Sequence, residues 1–188
     1  HWKKFVWRSG KSIASEMIEQ SEKYGIYDFA FTDSLINGSM KAYKEMCTAL
    51  ADYNNKNPKH KLTWRGQYIF RPANQMPDHI WKLSAEAGLT EVAVGIESLD
   101  ESIRNHMRKK FSNNDIVYSL ESMKRYGIVG NFLMLVGYVT ENEETIQNQK
   151  DMFTQLREYA GNAIRKVAIG STLAILPGTP LASMANEI

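Results

Sequence analysis

Several polar residues stand directly behind short apolar runs, and their types suit a site for a polar small molecule. Asp33-Ser34 follows Asp28–Thr32, Arg71 follows Leu62–Phe70, Glu97-Ser98 follows Glu91–Ile96, and Gly137-Tyr138 follows Gly130–Val136. A fifth run, Lys166–Ile175, leads into Leu176-Pro177-Gly178-Thr179. In parallel β/α proteins, functional groups gather where strands end and loops begin. The planar guanidinium of Arg71 suits bidentate contact with a carboxylate, and Gly137 lets a ligand approach the backbone closely. Each residue also has a plainer use: Glu97 as a carboxylate at a helix N-terminus, Arg71 as a surface arginine, the others as caps or loop residues. Together they supply the polar rim that a barrel mouth requires.

Other chemistries find less support. The chain has one cysteine, Cys47, which excludes an internal disulfide framework and any Cys-rich zinc or iron–sulfur site built from this chain alone. Cys47 falls mid-helix within Tyr43–Leu50 and reads as a small buried residue. His1, His60, His79 and His106 lack metal-ligand spacing and read as surface or cap residues. Trp64, Trp81 and the tyrosines read as core or rim rather than as a base-stacking platform. The basic cluster Arg104–Lys110 reads as a solvated helix end. A metal-independent barrel lyase would need a lysine or paired carboxylates at the strand ends, and neither is evident.

The elements that must position the rim alternate regularly. Between the apolar runs lie amphipathic stretches at Ser12–Tyr24, Ser39–Tyr53, Pro77–Ala87, Ser102–Met107 with Asp115–Tyr126, and Glu143–Tyr159. Strand alternating with helix implies parallel strands joined by right-handed crossovers. Tyr24-Gly25-Ile26, Ala87-Gly88-Leu89 and Tyr126-Gly127-Ile128 each place glycine where a helix C-cap needs a left-handed residue. Asn114-Asp115 and Thr140–Glu143 offer N-caps. The pattern leaves two architectures open, a doubly wound open sheet and a partial barrel. The absence of a Gly-x-Gly-x-x-Gly or Walker loop takes support from the nucleotide-binding open sheets.

Composition sets the frame. The 188 residues, 43% apolar, suit one domain over 1–188. A net charge of +2 predicts no broad polyanion-binding surface and no clear nucleic-acid surface. No apolar run reaches the ~18 residues of a membrane span. Cysteine usage makes a reducing, cytoplasmic setting the default. The start His1-Trp2-Lys3-Lys4-Phe5 is unlike a natural N-terminus, so a fragment of a longer protein is expected.

The ordered set of segments resembles the radical S-adenosylmethionine superfamily. Val94-Gly95-Ile96-Glu97-Ser98 followed by Met107-Arg108-Lys109 is similar to its fourth strand, and Phe31-Thr32-Asp33-Ser34-Leu35-Ile36-Asn37 to the segment after its second. Asn131–Gly137, with Glu141 and Glu144 behind it, resembles the fifth strand, and Leu176-Pro177-Gly178-Thr179-Pro180-Leu181 the segment after the sixth. Trp2-Lys3 through Arg8-Ser9 is similar to the stretch behind the cluster loop. The resemblance covers nearly the whole chain, and is closest to the subgroup often fused to a cobalamin-binding domain. There are departures: Leu99 replaces a glycine, Leu176 a tyrosine, and Gly137-Tyr138-Val139-Thr140-Glu141-Asn142 stands where Gly-x-Pro-Gly-Glu-Thr is usual.

The resemblance implies an α/β fold, a parallel partial TIM-type (β/α)6 barrel with about five β/α units present and the first strand missing. It implies S-adenosylmethionine as cofactor and a [4Fe-4S] cluster held by three cysteines upstream of this chain, with cobalamin as a further cofactor of the parent. The parent would cleave S-adenosylmethionine reductively to modify an unknown substrate, with an electron donor such as flavodoxin or ferredoxin as partner. The isolated chain would be inactive. By match, Glu97 and Ser98 would bond the ribose hydroxyls or the methionine amine, and Asp33 and Ser34 would touch the amine. Arg71 would pair the methionine carboxylate, and Gly137-Tyr138 would pass the adenine by backbone contact. The competing function is a degenerate, non-catalytic barrel that binds a nucleotide or a protein.

Overall fold

The computed structural model describes residues 6–173 and 175–185. His1, Trp2 and Lys3 lie outside the described residues, as does Ala174 within the expected strand Lys166–Ile175. The elements run α1 (Gly10–Tyr24), β1 (Asp28–Ala30), α2 (Met40–Lys56), β2 (Thr63–Tyr68), α3 (Asp78–Glu86), β3 (Leu89–Glu97), α4 (Glu101–His106), α5 (Asn113–Tyr126), β4 (Val129–Val136), α6 (Glu143–Ala160), β5 (Ile164–Thr172) and α7 (Pro180–Ala185).

All strand pairs are parallel, and the sheet order is β1-β2-β3-β4-β5. Right-handed crossovers that always step in the same direction place the connecting helices on one face. The helices accordingly pack in succession, α1 on α2, α2 on α3, α3 on α5 and α5 on α6. A doubly wound sheet would need a reversal of strand order and helices on both faces. The order settles what periodicity left open, in favour of the barrel-type winding.

Alternation within the strands separates the two faces. On β3, Val92, Val94 and Ile96 are buried beneath the helices, while Glu91, Ala93, Gly95 and Glu97 are only partly covered. The helix-side core is aromatic at its centre: Trp64 meets Phe31 and Tyr43 edge-on, and Tyr68 lies against Tyr43 and Trp81. Cys47, Trp64 and Trp81 are fully buried, as expected. On the open face, the N-terminal ends of the strands carry a polar belt. Arg65 pairs Asp28 at 2.7 Å, and Glu91 accepts from Asn131 and Arg165, each at 2.5 Å. Towards the C-terminal end of β3 that face carries Ala93 and Gly95, with the Glu97 carboxylate folded over the latter.

The ends of elements differ from expectation where side chains take over backbone pairing. β2 stops at Tyr68 rather than Phe70 because buried Asn37 bonds both backbone groups of Ile69, its Nδ2 donating to the carbonyl at 2.8 Å and its Oδ1 accepting the amide at 3.1 Å. α5 starts at Asn113 because Ser112, not Asn114, is its N-cap, in a capping box with Asp115. Asn142 caps α6 within the expected stretch, Gly25 and Gly127 are left-handed C-caps, and Ala87 is the C-cap before Gly88.

Candidate functional site

The parallel register brings all the strand C-termini to one edge of the sheet. Tyr68 stands beside Val94, Glu97 beside Met134, and Val136 beside Thr172. Asp33, Arg71, Glu97 and Gly137 therefore leave from the same rim.

Glu97 has the most constrained geometry. It is a non-glycine residue with φ of 68°, and the pairing of β3 with β4 shifts register between Gly95 and Glu97. Such a conformation costs on the order of 1–3 kcal/mol and persists only where the surroundings enforce it. The side chain folds back over Gly95, so that a methyl group there would overlap the carboxylate. Lys109 Nζ holds the arrangement, 3.1 Å from Glu97 Oε1 and 3.1 Å from the Gly95 carbonyl oxygen. Lys109 reaches this point through the end of α4. Arg108 is left-handed at φ 60°, and the Lys109 amide donates to the Arg104 carbonyl at 2.9 Å, the closing bond of a Schellman turn.

This corrects the expectation for Arg104–Lys110. Only part of that cluster is a solvated helix end: Arg108 and Lys110 are exposed, but Arg104 is fully buried and Lys109 is half-buried against Glu97. Sequence reasoning missed both residues, although Met107-Arg108-Lys109 carried a signal for the second.

Ser98 is buried, and its hydroxyl accepts from the Asp100 amide at 3.1 Å. Asp100 is the N-cap of α4; its carboxylate accepts from Ser102 Oγ, from the Ile103 amide at 3.0 Å and from Asn148 Nδ2 at 2.9 Å. Burial pushes this carboxyl up, but the donors from Ser102, Asn148 and the backbone outweigh it and hold the group below its ordinary value.

The guanidinium of Arg71 faces the loop between β1 and α2. Its Nε and Nη2 donate to the Asn37 carbonyl at 3.2 and 2.8 Å, Nη2 also reaches the Gly38 carbonyl at 3.0 Å, and Nη1 donates to Gln75 Oε1 at 3.0 Å. Arg71 thus fastens the loop that carries Asp33 and Ser34, both of which are exposed. Among the described residues, Asp33 makes no hydrogen bond or ion pair. It lines a cleft of about 440 Å³ beside α1 and β1, together with Phe29 and Phe31.

Gly137 is left-handed at φ 77°, with open space where a side chain would project. Its amide donates to Glu141 Oε2 at 2.5 Å. Glu141 Oε1 accepts from Gln149 Nε2 at 3.0 Å, and Gln149 Oε1 accepts from the Leu99 amide at 3.4 Å. The loops after β3 and β4 are thereby joined through α6. Tyr138 is buried, and burial raises its phenol pKa. Its OH lies 2.8 Å from His106 Nδ1, so His106, expected as a surface or cap residue, also braces this loop. Beyond β5, Thr179 Oγ1 donates to the Leu176 carbonyl at 2.7 Å and accepts from the Ala182 amide at 3.3 Å, at the start of α7. The rim thus holds three clusters, around Asp33, Glu97 and Gly137; among the described residues, no hydrogen bond links Asp33 to the other two.

The sequence model of the radical SAM superfamily matches residues 2–152. The chain belongs to the radical SAM superfamily. Its fold is that of solved members. TsrM from Kitasatospora setae, a radical S-adenosylmethionine methyltransferase solved with tryptophan substrate and a SAM analogue, superposes with a TM-score of 0.78 at 20% identity, over 96% of this chain and 33% of that one. The cobalamin-dependent S-adenosylmethionine radical enzyme OxsB gives 0.71 at 12% identity, over 100% and 32%. Coproporphyrinogen III oxidase (HemN) from Escherichia coli gives 0.59 at 10%, over 93% and 40%. The chain therefore spans about a third of the length of the first two. No curated protein matches it.

Membership of the radical SAM superfamily implies S-adenosylmethionine and a [4Fe-4S] cluster. The donor set suits the first: exposed Asp33 and half-buried Glu97 are acceptors for an amine or hydroxyls, and Gly137 leaves clearance at the mouth. It does not suit the second. Cys47 is the single cysteine, fully buried against the helix layer, with its thiol pushed up to about 12 by burial. Among the described residues, no group of three or more His, Cys, Asp or Glu is placed to hold a metal. No helix among them is long and apolar enough to cross a membrane.

Proposed function

We propose that this chain forms the S-adenosylmethionine-binding wall of a radical SAM enzyme, of the subgroup that also uses cobalamin, whose cluster is held by cysteines of the parent outside this chain. The observation that carries the reading is the Glu97 carboxylate, folded over Gly95 and clamped by Lys109 at the rim. S-adenosylmethionine bound there supplies a methyl or a 5′-deoxyadenosyl group to the reaction.

The chain's own residues do the binding and orienting. Glu97 keeps Oε2 for a ribose hydroxyl or the methionine amine, since Lys109 engages Oε1. Asp33 offers the amine a second acceptor from the β1 side. Arg71 orients the Asp33 loop through the Asn37 and Gly38 carbonyls; pairing the methionine carboxylate would require it to exchange those partners. Ser98 is buried with its hydroxyl engaged by the Asp100 amide, so contact with the cofactor would require the turn after Glu97 to open. Gly137, its amide engaged by Glu141, offers the adenine an unobstructed stretch of backbone. The apolar helix-side core beneath the strands keeps the mouth rigid, which is what orientation of a bound cofactor requires.

The test is anaerobic reconstitution of the full-length parent with iron and sulfide, followed by reduction in the presence of S-adenosylmethionine. The expected products are methionine with 5′-deoxyadenosine, or S-adenosylhomocysteine with a methylated acceptor. A full-length parent without the three cysteines and without either product would instead establish a non-catalytic binding barrel. TsrM, also solved with cobalamin and a [4Fe-4S] cluster bound, and cobalamin-dependent OxsB direct the choice of cobalamin as the first additive.

A further inference from the structure

Arg104 is fully buried, and a buried guanidinium is costly unless its partners are well placed. Its Nη1 donates to the Ser98 carbonyl at 2.8 Å, Nη2 bonds Asn113 Oδ1, and the Glu101 carboxylate lies 3.6 Å away. The guanidinium stands 5.5 Å over the Phe111 ring, and Nε has no hydrogen-bond partner. An arginine present only to fill this space would be replaced by an apolar side chain at little or no cost. What it holds is more specific. The Ser98 carbonyl lies one peptide beyond Glu97, the residue with φ of 68°. The backbone carbonyl of the same arginine accepts the Lys109 amide. One residue thus fixes the peptide after the acid through its side chain and the approach of the base through its main chain, while Asn113 anchors it to the first turn of α5.

We infer that Arg104 is a positioning residue that holds Glu97 and Lys109 together at the rim, so that Glu97 meets the cofactor in one orientation. The inference rests on the reading that Glu97 faces S-adenosylmethionine, and deepens it by naming what keeps the strained turn in place. Arg104 itself touches no cofactor atom; it acts through Ser98 on Glu97.

The experiment is an S-adenosylmethionine titration of the reconstituted full-length parent carrying R104M, R104K, E97Q and the R104M/E97Q double substitution. R104M is expected to raise Kd about tenfold in the wild-type background and to add nothing in the E97Q background. R104K keeps a donor for the Ser98 carbonyl and is expected to recover most of the loss. An R104M protein that binds as tightly as wild type, or a loss that simply adds to that of E97Q, overturns the inference. Should E97Q itself bind normally, the cofactor reading fails, and the crystal structure of R104M decides the inference separately. Relaxation of Glu97 to an extended φ with an opened Lys109 contact supports it; the left-handed φ and the 3.1 Å contact retained overturns it. If R104M does not fold, R104Q is read by the same criteria.

Discussion

Lys109 Nζ stands 3.1 Å from Glu97 Oε1 and the same distance from the carbonyl oxygen of Gly95, so one ammonium fixes both the carboxylate and the backbone beneath it. The arrangement requires a residue without a side chain at position 95, because the carboxylate occupies that space. Gly95→Ala is therefore expected to displace the far end of a flexible side chain rather than backbone. Thermal unfolding should change little, while S-adenosylmethionine binding by the reconstituted parent weakens about tenfold or more, the value of one charge-assisted hydrogen bond. Unchanged binding would show that the folded-back carboxylate is not the form that meets the cofactor.

The link from Gly137 through Glu141 to Gln149 makes a second, independent prediction. Glu141→Ala removes the acceptor 2.5 Å from the Gly137 amide, an exposed contact whose loss should cost stability only slightly. Hydrogen exchange at the Gly137 amide should accelerate markedly, with amides in β4 unaffected. Equal protection in the variant would mean that the loop is held by Tyr138 and His106 instead.

Much of this fold was legible from residue order alone. The five apolar runs became the five strands, and their polar followers all reached the same edge. What was hidden depended on turns that pattern does not encode. Lys109 points back to the sheet only because Arg108 adopts a left-handed conformation, which an arginine in a basic run does not announce. Arg104 looked solvated among its charged neighbours, and its burial is a consequence of α4 and α5 folding around it. Arg71 looked ready for a ligand, yet the nearest acceptors are the carbonyls of Asn37 and Gly38, brought to it by the tertiary return of the β1–α2 loop.

Asp100 ties stability to pH in the acid range. Its carboxyl is held below the ordinary 3.8, so its contribution is fully present above that value and is lost as pH falls through the lowered one. Asp100→Ala should cost about 1 kcal/mol at neutral pH, as for other N-cap losses. It should also flatten the fall of stability below pH 3.8 relative to wild type. Urea unfolding at neutral pH and at two acid values measures both; parallel pH profiles would place the acid sensitivity elsewhere.

Cys47 makes a prediction about the isolated chain. A fully buried thiol held at about 12 is a poor nucleophile and a poor metal ligand. The native chain should react with a thiol reagent only at its rate of opening, and incubation with iron and sulfide should yield no stoichiometric cluster by visible or paramagnetic spectroscopy. Rapid modification of the native protein, or one cluster per chain, would contradict the burial of Cys47 or reveal ligands other than cysteine.

The most direct test of the site is equilibrium titration of S-adenosylmethionine against the anaerobically reconstituted full-length parent, wild type beside Glu97→Ala. The carboxylate ends a strand at the mouth and is only partly covered, so the variant should keep its unfolding temperature. Its affinity should be about ten- to a hundredfold weaker, the equivalent of ~1.5–3 kcal/mol. Equal affinities for the two proteins would contradict this and leave Glu97 as a strand-end residue paired with Lys109 for structural reasons alone.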